Sequence, residues 1–212
     1  MRRFIFASFA FLLLLLLSAF TVHDLNEADL LFASPTKQDH ITQVTSQNGQ
    51  YPTPHHVGLF HRIGGDNGIP YVIEAIPEKG VCLTPVDSFL CKNQDCTIIL
   101  ATIAADIDRK ESIKNALRLV GCLYDHYFQP SDSAIYCSEL VTNSVVSTAG
   151  ELVFELIPMS FHDENGKITE FWTKYYRAVG LEVPEGEPGS NPANLLENPV
   201  VKVFHIMPAV RP

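Results

Sequence analysis

The sequence of 212 residues lacks the motifs that most directly assign a chemistry. It has no internal repeat, no glycine-rich phosphate loop, and no metal-ligand spacing such as paired CxxC or HExxH. Basic residues are also scarce, since 15 Lys and Arg stand against 24 Asp and Glu, a formal net charge of -9. Non-specific nucleic-acid binding needs a basic face. We therefore expect no nucleic-acid partner, no metal and no cofactor.

Charged residues make up only 18% of the chain, whereas hydrophobic residues make up 46%. This balance is typical of a globular chain rather than a disordered one. The length is sufficient for one domain with a substantial core.

The N-terminus carries the longest apolar run. Arg2 and Arg3 precede an apolar stretch over residues 4–20, which is the pattern of a signal peptide. The small residues Ala19 and Thr21 favour cleavage after position 21.

An uncleaved anchor is the alternative for this segment, because a spanning helix needs about 20 apolar residues. Residues 1–21 would then be the only membrane contact. In either case the sequence predicts export, to the periplasm or the cell envelope, of one domain over residues 22–212.

Export permits disulfides, but the five cysteines are an odd number, so at least one is free or intermolecular. Cys91 and Cys96 flank a polar loop and could close it, and Cys82 and Cys122 are the other candidates. The alternative is that all four are reduced.

Apolar periodicity predicts a small α+β domain with a mostly antiparallel sheet packed against helices. The expected strands include a hairpin over residues 55–77, a continuous apolar strand over 97–103 and a last strand over 200–206. A helix is expected over residues 106–125, capped by Asp106 or Asp108. Its apolar face would comprise Ile113, Ala116, Leu117, Val120 and Leu123.

The stretch "YCSELV" at 136–141 opens another predicted helix, from Cys137 to about residue 148. A helix N-terminus lowers the pKa of a thiol and offers free N–H groups to an oxyanion. Cys137 is therefore a candidate nucleophile. The alternative is a small core residue at the start of a buried helix.

Eight histidines compete for the role of base. His55 and His56 open the predicted hairpin, and adjacent strand residues face opposite ways, so only one can point at a given site. Glu74 lies inside the apolar run of the returning strand, where a buried carboxylate needs a partner. His56 and Glu74 can be neighbours across the hairpin, although a strand histidine can equally be structural.

The order of several short motifs resembles one enzyme family. The chain has "ADLLF" at 28–32, "HVGL" at 56–59, "VIEA" at 72–75, "YDHYF" at 124–128 and "YCSELV" at 136–141. This order is similar to the circularly permuted YiiX/YaeF-like branch of the NlpC-type papain-like cysteine hydrolases. In most of that superfamily the histidine follows the cysteine, whereas here it precedes it.

The resemblance, which covers residues 24–205, implies a permuted papain-like fold and a set of site residues. It implies Cys137 as nucleophile, His56 as general base and then acid, and Glu74 as the residue that orients His56. Tyr124 would help the backbone N–H of Cys137 to bind the oxyanion, and Asp125 would shape the turn beside the site. His55 remains an alternative to His56.

Other residues receive structural interpretations. Ser138 and Glu139 would cap the helix that Cys137 opens. Trp172, Tyr175 and Tyr176 are expected in the core and at its rim, and His126 at the surface.

The expected activity is hydrolysis of an amide bond in a peptide-like, cell-envelope substrate through an acyl-enzyme on Cys137. Permuted papain folds also host enzymes that act on lipid acyl groups, so a lipid acyl hydrolase or acyltransferase is one alternative. An exported binding protein with a vestigial site is the other.

Overall fold

The computed structural model describes residues 24–45, 49–65, 67–129 and 133–210. The predicted signal peptide or anchor at residues 1–21 lies outside the described residues. Across the ranges that are described, no helix is both long and apolar enough to cross a membrane.

Six strands form one sheet: β1 (Leu30–Pro35), β2 (His56–Ile63), β3 (Ile69–Ile76), β4 (Gly80–Pro85), β5 (Cys96–Ile103) and β10 (Val201–Met207). Their spatial order is β10-β5-β1-β2-β3-β4, and every neighbouring pair is antiparallel. Two small pairs complete the strands: β6 (Leu123–Tyr124) with β7 (Ala134–Ile135), and β8 (Ile157–Pro158) with β9 (Pro188–Gly189).

The helices of the described residues are α1 (His40–Thr45), α2 (Val86–Lys92), α3 (Arg109–Arg118), α4 (Cys137–Ser144), α5 (Glu170–Arg177) and α6 (Pro192–Leu196). The mostly antiparallel α+β architecture confirms the predicted fold class.

Both faces of the central strands are buried. Along β1, Leu30 and Phe32 belong to the core cluster that includes residues of α4, whereas Leu31 and Ala33 belong to the cluster that includes Phe89 of α2. Successive strand residues face opposite sides, so helices cover the sheet on both faces. This arrangement explains why β1 and β5 are continuous apolar runs rather than alternating ones.

The helix predicted over residues 106–125 is shorter than expected. Asp108 caps it, as one of the two predicted candidates, by accepting a hydrogen bond from the backbone N–H of Glu111 at 2.9 Å. The helix ends at Arg118, and the chain then pairs with the start of β4, where Gly121 donates to the Val81 carbonyl. The predicted apolar face was therefore wrong beyond Ala116, since three of its members are exposed: Leu117, Val120 and Leu123.

All five cysteines lie in the described part of the chain, and each is a free thiol. The structure thus corresponds to the reduced alternative for Cys82, Cys91, Cys96 and Cys122.

Candidate active site

Cys137 is the first residue of α4 and is 5% exposed. Tyr136 before it is extended, and the Glu139 carboxylate accepts a hydrogen bond from the Tyr136 backbone N–H at 3.4 Å. Buried Leu140 and Val141 anchor the helix to the core. The first N–H groups of a helix lack partners within it, so the N–H of Cys137 is available to a ligand.

His56 and Glu74, which the sequence paired across the hairpin, are in contact. The His56 Nε2 atom lies 2.6 Å from Glu74 Oε2. Glu74 is 1% exposed, in the middle of β3, and His56 is the first residue of β2. A buried carboxylate is stable only with such a partner.

The Cys137 side chain also interacts with the His56 imidazole and contributes to the pKa of His56. Burial alone would lower the pKa of His56, but its interactions with Cys137 and Glu74 outweigh burial and raise that pKa to about 9. His56 is therefore protonated at neutral pH. One imidazole thus connects the thiol at the start of α4 to the carboxylate of β3.

The second oxygen of the Glu74 carboxylate has a partner that the sequence did not indicate. Thr84 in β4 donates its hydroxyl to Glu74 Oε1 at 2.6 Å. Burial raises the pKa of Glu74, but the hydrogen bonds from His56 and Thr84 bring it below its ordinary value. Glu74 is therefore held as a carboxylate. This contact follows from the β3–β4 register, which places Cys82 opposite Glu74 and Thr84 two residues further on, and no motif in the sequence indicates it.

Tyr124 lines the same cleft as Cys137. Burial, and then the charge of Cys137, raise the pKa of Tyr124 far above its ordinary value. Its hydroxyl therefore remains a hydrogen-bond donor. Asp125 accepts a hydrogen bond from the Tyr127 backbone N–H at 2.8 Å, which is the turn-shaping contact expected of it.

His55 has different partners from its neighbour. Its Nδ1 atom lies 2.5 Å from Asp39 Oδ2, and its Nε2 atom lies 3.8 Å from the Cys96 sulfur. The sequence did not single out Asp39. Its contact with His55 depends on the bend directly before β2, which no sequence motif marks. His56, and not His55, is the histidine that contacts Glu74, whereas His55 lines the cleft.

A cleft with about 520 Å³ of empty space, partly open to solvent, lies over Cys137. Its walls are mainly apolar and aromatic: Ile41, Val44, Phe128, Met159, Phe161 and Trp172. Among the described residues that line it there is no Lys, Arg, Asp or Glu.

Ser138 differs from its expected role. Its hydroxyl is buried, lines the cleft and has no hydrogen-bond partner among the described residues, so it does not cap α4. Glu139 does act in the expected way at the helix start.

The aromatic residues of α5 occupy the core and its rim. Trp172 and Tyr176 are buried, and Tyr176 donates its hydroxyl to the Tyr127 carbonyl at 2.9 Å. Trp172 additionally forms part of the cleft wall. His126 is exposed, as predicted.

Comparison with known proteins identifies one family. A family model described as permuted papain-like amidase enzyme, YaeF/YiiX, matches residues 24–205. No curated protein matches the chain.

A solved structure, that of the metalloprotein YiiX from Escherichia coli O157:H7, has a similar fold. The two share 20% identity with a TM-score of 0.68, and the similarity covers 86% of this chain and 98% of that chain. In the part of the present chain that the structure describes, no three His, Cys, Asp or Glu side chains are grouped to hold a metal ion. The word metalloprotein describes YiiX.

Proposed function

Because the chain belongs to the family of permuted papain-like amidases, the YaeF/YiiX group, we propose that it is an exported thiol hydrolase that cleaves an amide bond in a peptide-like substrate of the cell envelope. Membership of the family indicates a cysteine hydrolase of amide bonds. Export, the substrate and the roles of individual residues are our proposals.

The single observation that carries the residue roles is the contact between His56 Nε2 and Glu74 Oε2, at 2.6 Å, on an imidazole whose pKa the Cys137 side chain also raises. In the first half-reaction the Cys137 thiolate attacks the carbonyl carbon, and a C–S bond forms. The backbone N–H of Cys137 and the hydroxyl of Tyr124 donate hydrogen bonds to the oxyanion. The His56 imidazolium then gives its proton to the leaving amine as the C–N bond breaks.

The second half-reaction releases the acyl group. Neutral His56 takes a proton from water, and the resulting hydroxide attacks the thioester carbonyl. The C–S bond breaks, a carboxylic acid leaves, and Cys137 and the protonated His56 are restored. Glu74 holds the imidazole and stabilises its positive charge through both steps, as the carboxylate does in other triads.

A second candidate is hydrolysis or transfer of a lipid acyl group. The observation that favours it is the cleft, whose apolar lining resembles an acyl-chain site more than a site for a charged peptide. The association of His56 with both Glu74 and Cys137 favours either enzyme over a binding protein with a vestigial site.

A substrate panel separates these candidates. The mature chain is assayed on peptide p-nitroanilides and on p-nitrophenyl esters of fatty acids of increasing length, with Cys137→Ala as the control. Cys137-dependent cleavage of the anilides supports the amidase. Cleavage confined to the esters, with kcat/KM rising with chain length, would favour the lipid candidate. Binding of either class without turnover would favour the vestigial site.

A further inference from the structure

Glu74 has two carboxylate oxygens and almost no contact with solvent, since the residue is 1% exposed. Oε2 is used by His56, at 2.6 Å, and Oε1 by the Thr84 hydroxyl, also at 2.6 Å. An ionised carboxylate only accepts hydrogen bonds, so Thr84 is the donor. We propose that Thr84 is a positioning residue of the active site, which acts on His56 through Glu74; this inference rests on the proposed function.

The sheet fixes the direction of this contact. In the β3–β4 register Glu74 lies opposite Cys82, and Thr84 lies two residues further along β4. Residues two apart on a strand share a face, so Thr84 lies diagonally across from Glu74. Diagonal neighbours on adjacent strands are within side-chain reach. The hydroxyl is thus carried by the backbone of a paired strand rather than by a loop.

The Thr84 hydroxyl has a second neighbour, the Cys82 sulfur, at 3.8 Å. Burial raises the pKa of Cys82, so its thiol stays protonated and is a weak donor. With its single proton given to Glu74, Thr84 accepts from Cys82. The hydrogen bonds therefore run in one direction from Cys82 through Thr84 to Glu74.

Loss of the Thr84 hydroxyl would affect both the rotation and the charge of the Glu74 side chain. A hydrogen bond to the ionised form of a carboxyl group favours ionisation. Without the Thr84 hydroxyl, Oε1 would be a buried acceptor with no partner in its present position, and leaving such a group unsatisfied is costly. Glu74 would then rotate or take up a proton more readily, and in either case it would stabilise the His56 imidazolium less well.

The test compares Thr84→Val, which keeps the shape and removes the hydroxyl, with Thr84→Ser, which keeps the hydroxyl. We expect Thr84→Val to lower kcat by roughly tenfold or more with little change in KM, and Thr84→Ser to restore most of it. The alkaline limb of the pH–rate profile should move to lower pH in Thr84→Val, because His56 loses part of the interaction that raises its pKa. A valine that only loosened the fold would lower the melting temperature without moving that limb.

Two further measurements make the outcome decisive. If Thr84 acts through Glu74, then Thr84→Val should cause little additional loss in a Glu74→Gln background, as a double-mutant cycle measures. Titration of the His56 ring by NMR tests the role of Thr84 without a substrate. The pKa of His56 should be lower in Thr84→Val than in the wild type.

Failure of this inference is distinguishable from failure of the proposed function. Turnover that survives Cys137→Ala would contradict the proposed function, and the role of Thr84 with it. Turnover that depends on Cys137, with Thr84→Val equal to the wild type in kcat and in the His56 pKa, would overturn the role of Thr84 alone.

Discussion

The His56 side chain links the two other members of the proposed catalytic set. It contacts the Glu74 carboxylate through Nε2, and the Cys137 side chain together with Glu74 raises its pKa. Removing it would separate the thiol from the carboxylate and leave Glu74 buried without its charged partner.

His56→Ala should therefore abolish most turnover, by roughly a thousandfold or more, as expected for residues that act as one unit. Glu74→Gln should be milder, because the amide can still hold the imidazole but no longer stabilises its positive charge. Steady-state kinetics of the purified variants measures both effects, with circular dichroism as a check on folding. A larger loss in Glu74→Gln than in His56→Ala would contradict the assigned roles.

The raised pKa of His56, from 6.5 to about 9, predicts the pH dependence. The imidazolium is the acid that protonates the leaving amine, so the rate of amide cleavage should fall as pH rises through about 9. The folded state binds the His56 proton more tightly than the unfolded state, so this contribution to stability is full below about pH 6.5 and is lost towards pH 9. Activity and thermal-melt profiles from pH 6 to 10 should both show this loss, and an alkaline limb near the ordinary histidine value would contradict it.

Sequence reasoning predicted Cys137, His56 and Glu74 as site residues because each lies in a short motif, and the order of the motifs is specific. Thr84 and Asp39 lie in no motif. Their contacts depend on the β3–β4 register and on the bend before β2, which only the folded sheet determines.

At the scale of elements, α1 forms one wall of the cleft through Ile41 and Val44. Asp39 precedes this helix and accepts hydrogen bonds from the Thr42 backbone N–H and hydroxyl, at 2.8 Å and 2.9 Å. The same carboxylate reaches His55. The His55–Asp39 pair therefore connects the cleft wall to the chain directly before β2.

His55→Ala should loosen this wall without separating His56 from Cys137. We expect KM to rise for p-nitrophenyl esters with long acyl chains, while kcat stays within several-fold of the wild type. The matched comparison is His56→Ala, which should lower kcat strongly and change KM little. Loss of kcat in His55→Ala as large as that in His56→Ala would contradict the assignment of His56.

The elements also show where sequence patterns lose their predictive power. The apolar period of α3 continues past Ala116, but the chain leaves the helix after Arg118 and pairs with β4 instead. Backbone pairing with β4 outweighed helical periodicity there. By contrast, β1 and β5 were predictable, because strands buried on both faces leave a continuous apolar run.

At the scale of the whole molecule, the histidine and the glutamate precede the cysteine in the chain. The sheet order β10-β5-β1-β2-β3-β4 brings the last strand against β5, so the two ends of the described chain belong to one sheet. The position of the histidine and the glutamate before the cysteine agrees with membership of a permuted family. This permutation could be predicted from motif order alone. The cleft could not be predicted from the sequence, because its walls come from segments far apart in the chain.

The N-terminal segment gives a prediction at this scale. If residues 1–21 are a cleaved signal peptide, mass spectrometry of the exported protein should find an N-terminus near Val22. An intact Met1 in membrane fractions would favour the uncleaved anchor. In either case the protein should be absent from the cytoplasmic fraction, and its accumulation there would contradict export.

Whether Cys137 is the nucleophile is decided by comparing the wild type with Cys137→Ser on any substrate that the native protein cleaves. We expect acid-quenched wild type to carry the acyl mass on the peptide that contains Cys137. Cys137→Ser should fold normally but not turn over, because a serine hydroxyl is far less acidic than the thiol for which the site is built. Wild-type turnover by Cys137→Ser, or an acyl group on another residue, would contradict the role of Cys137.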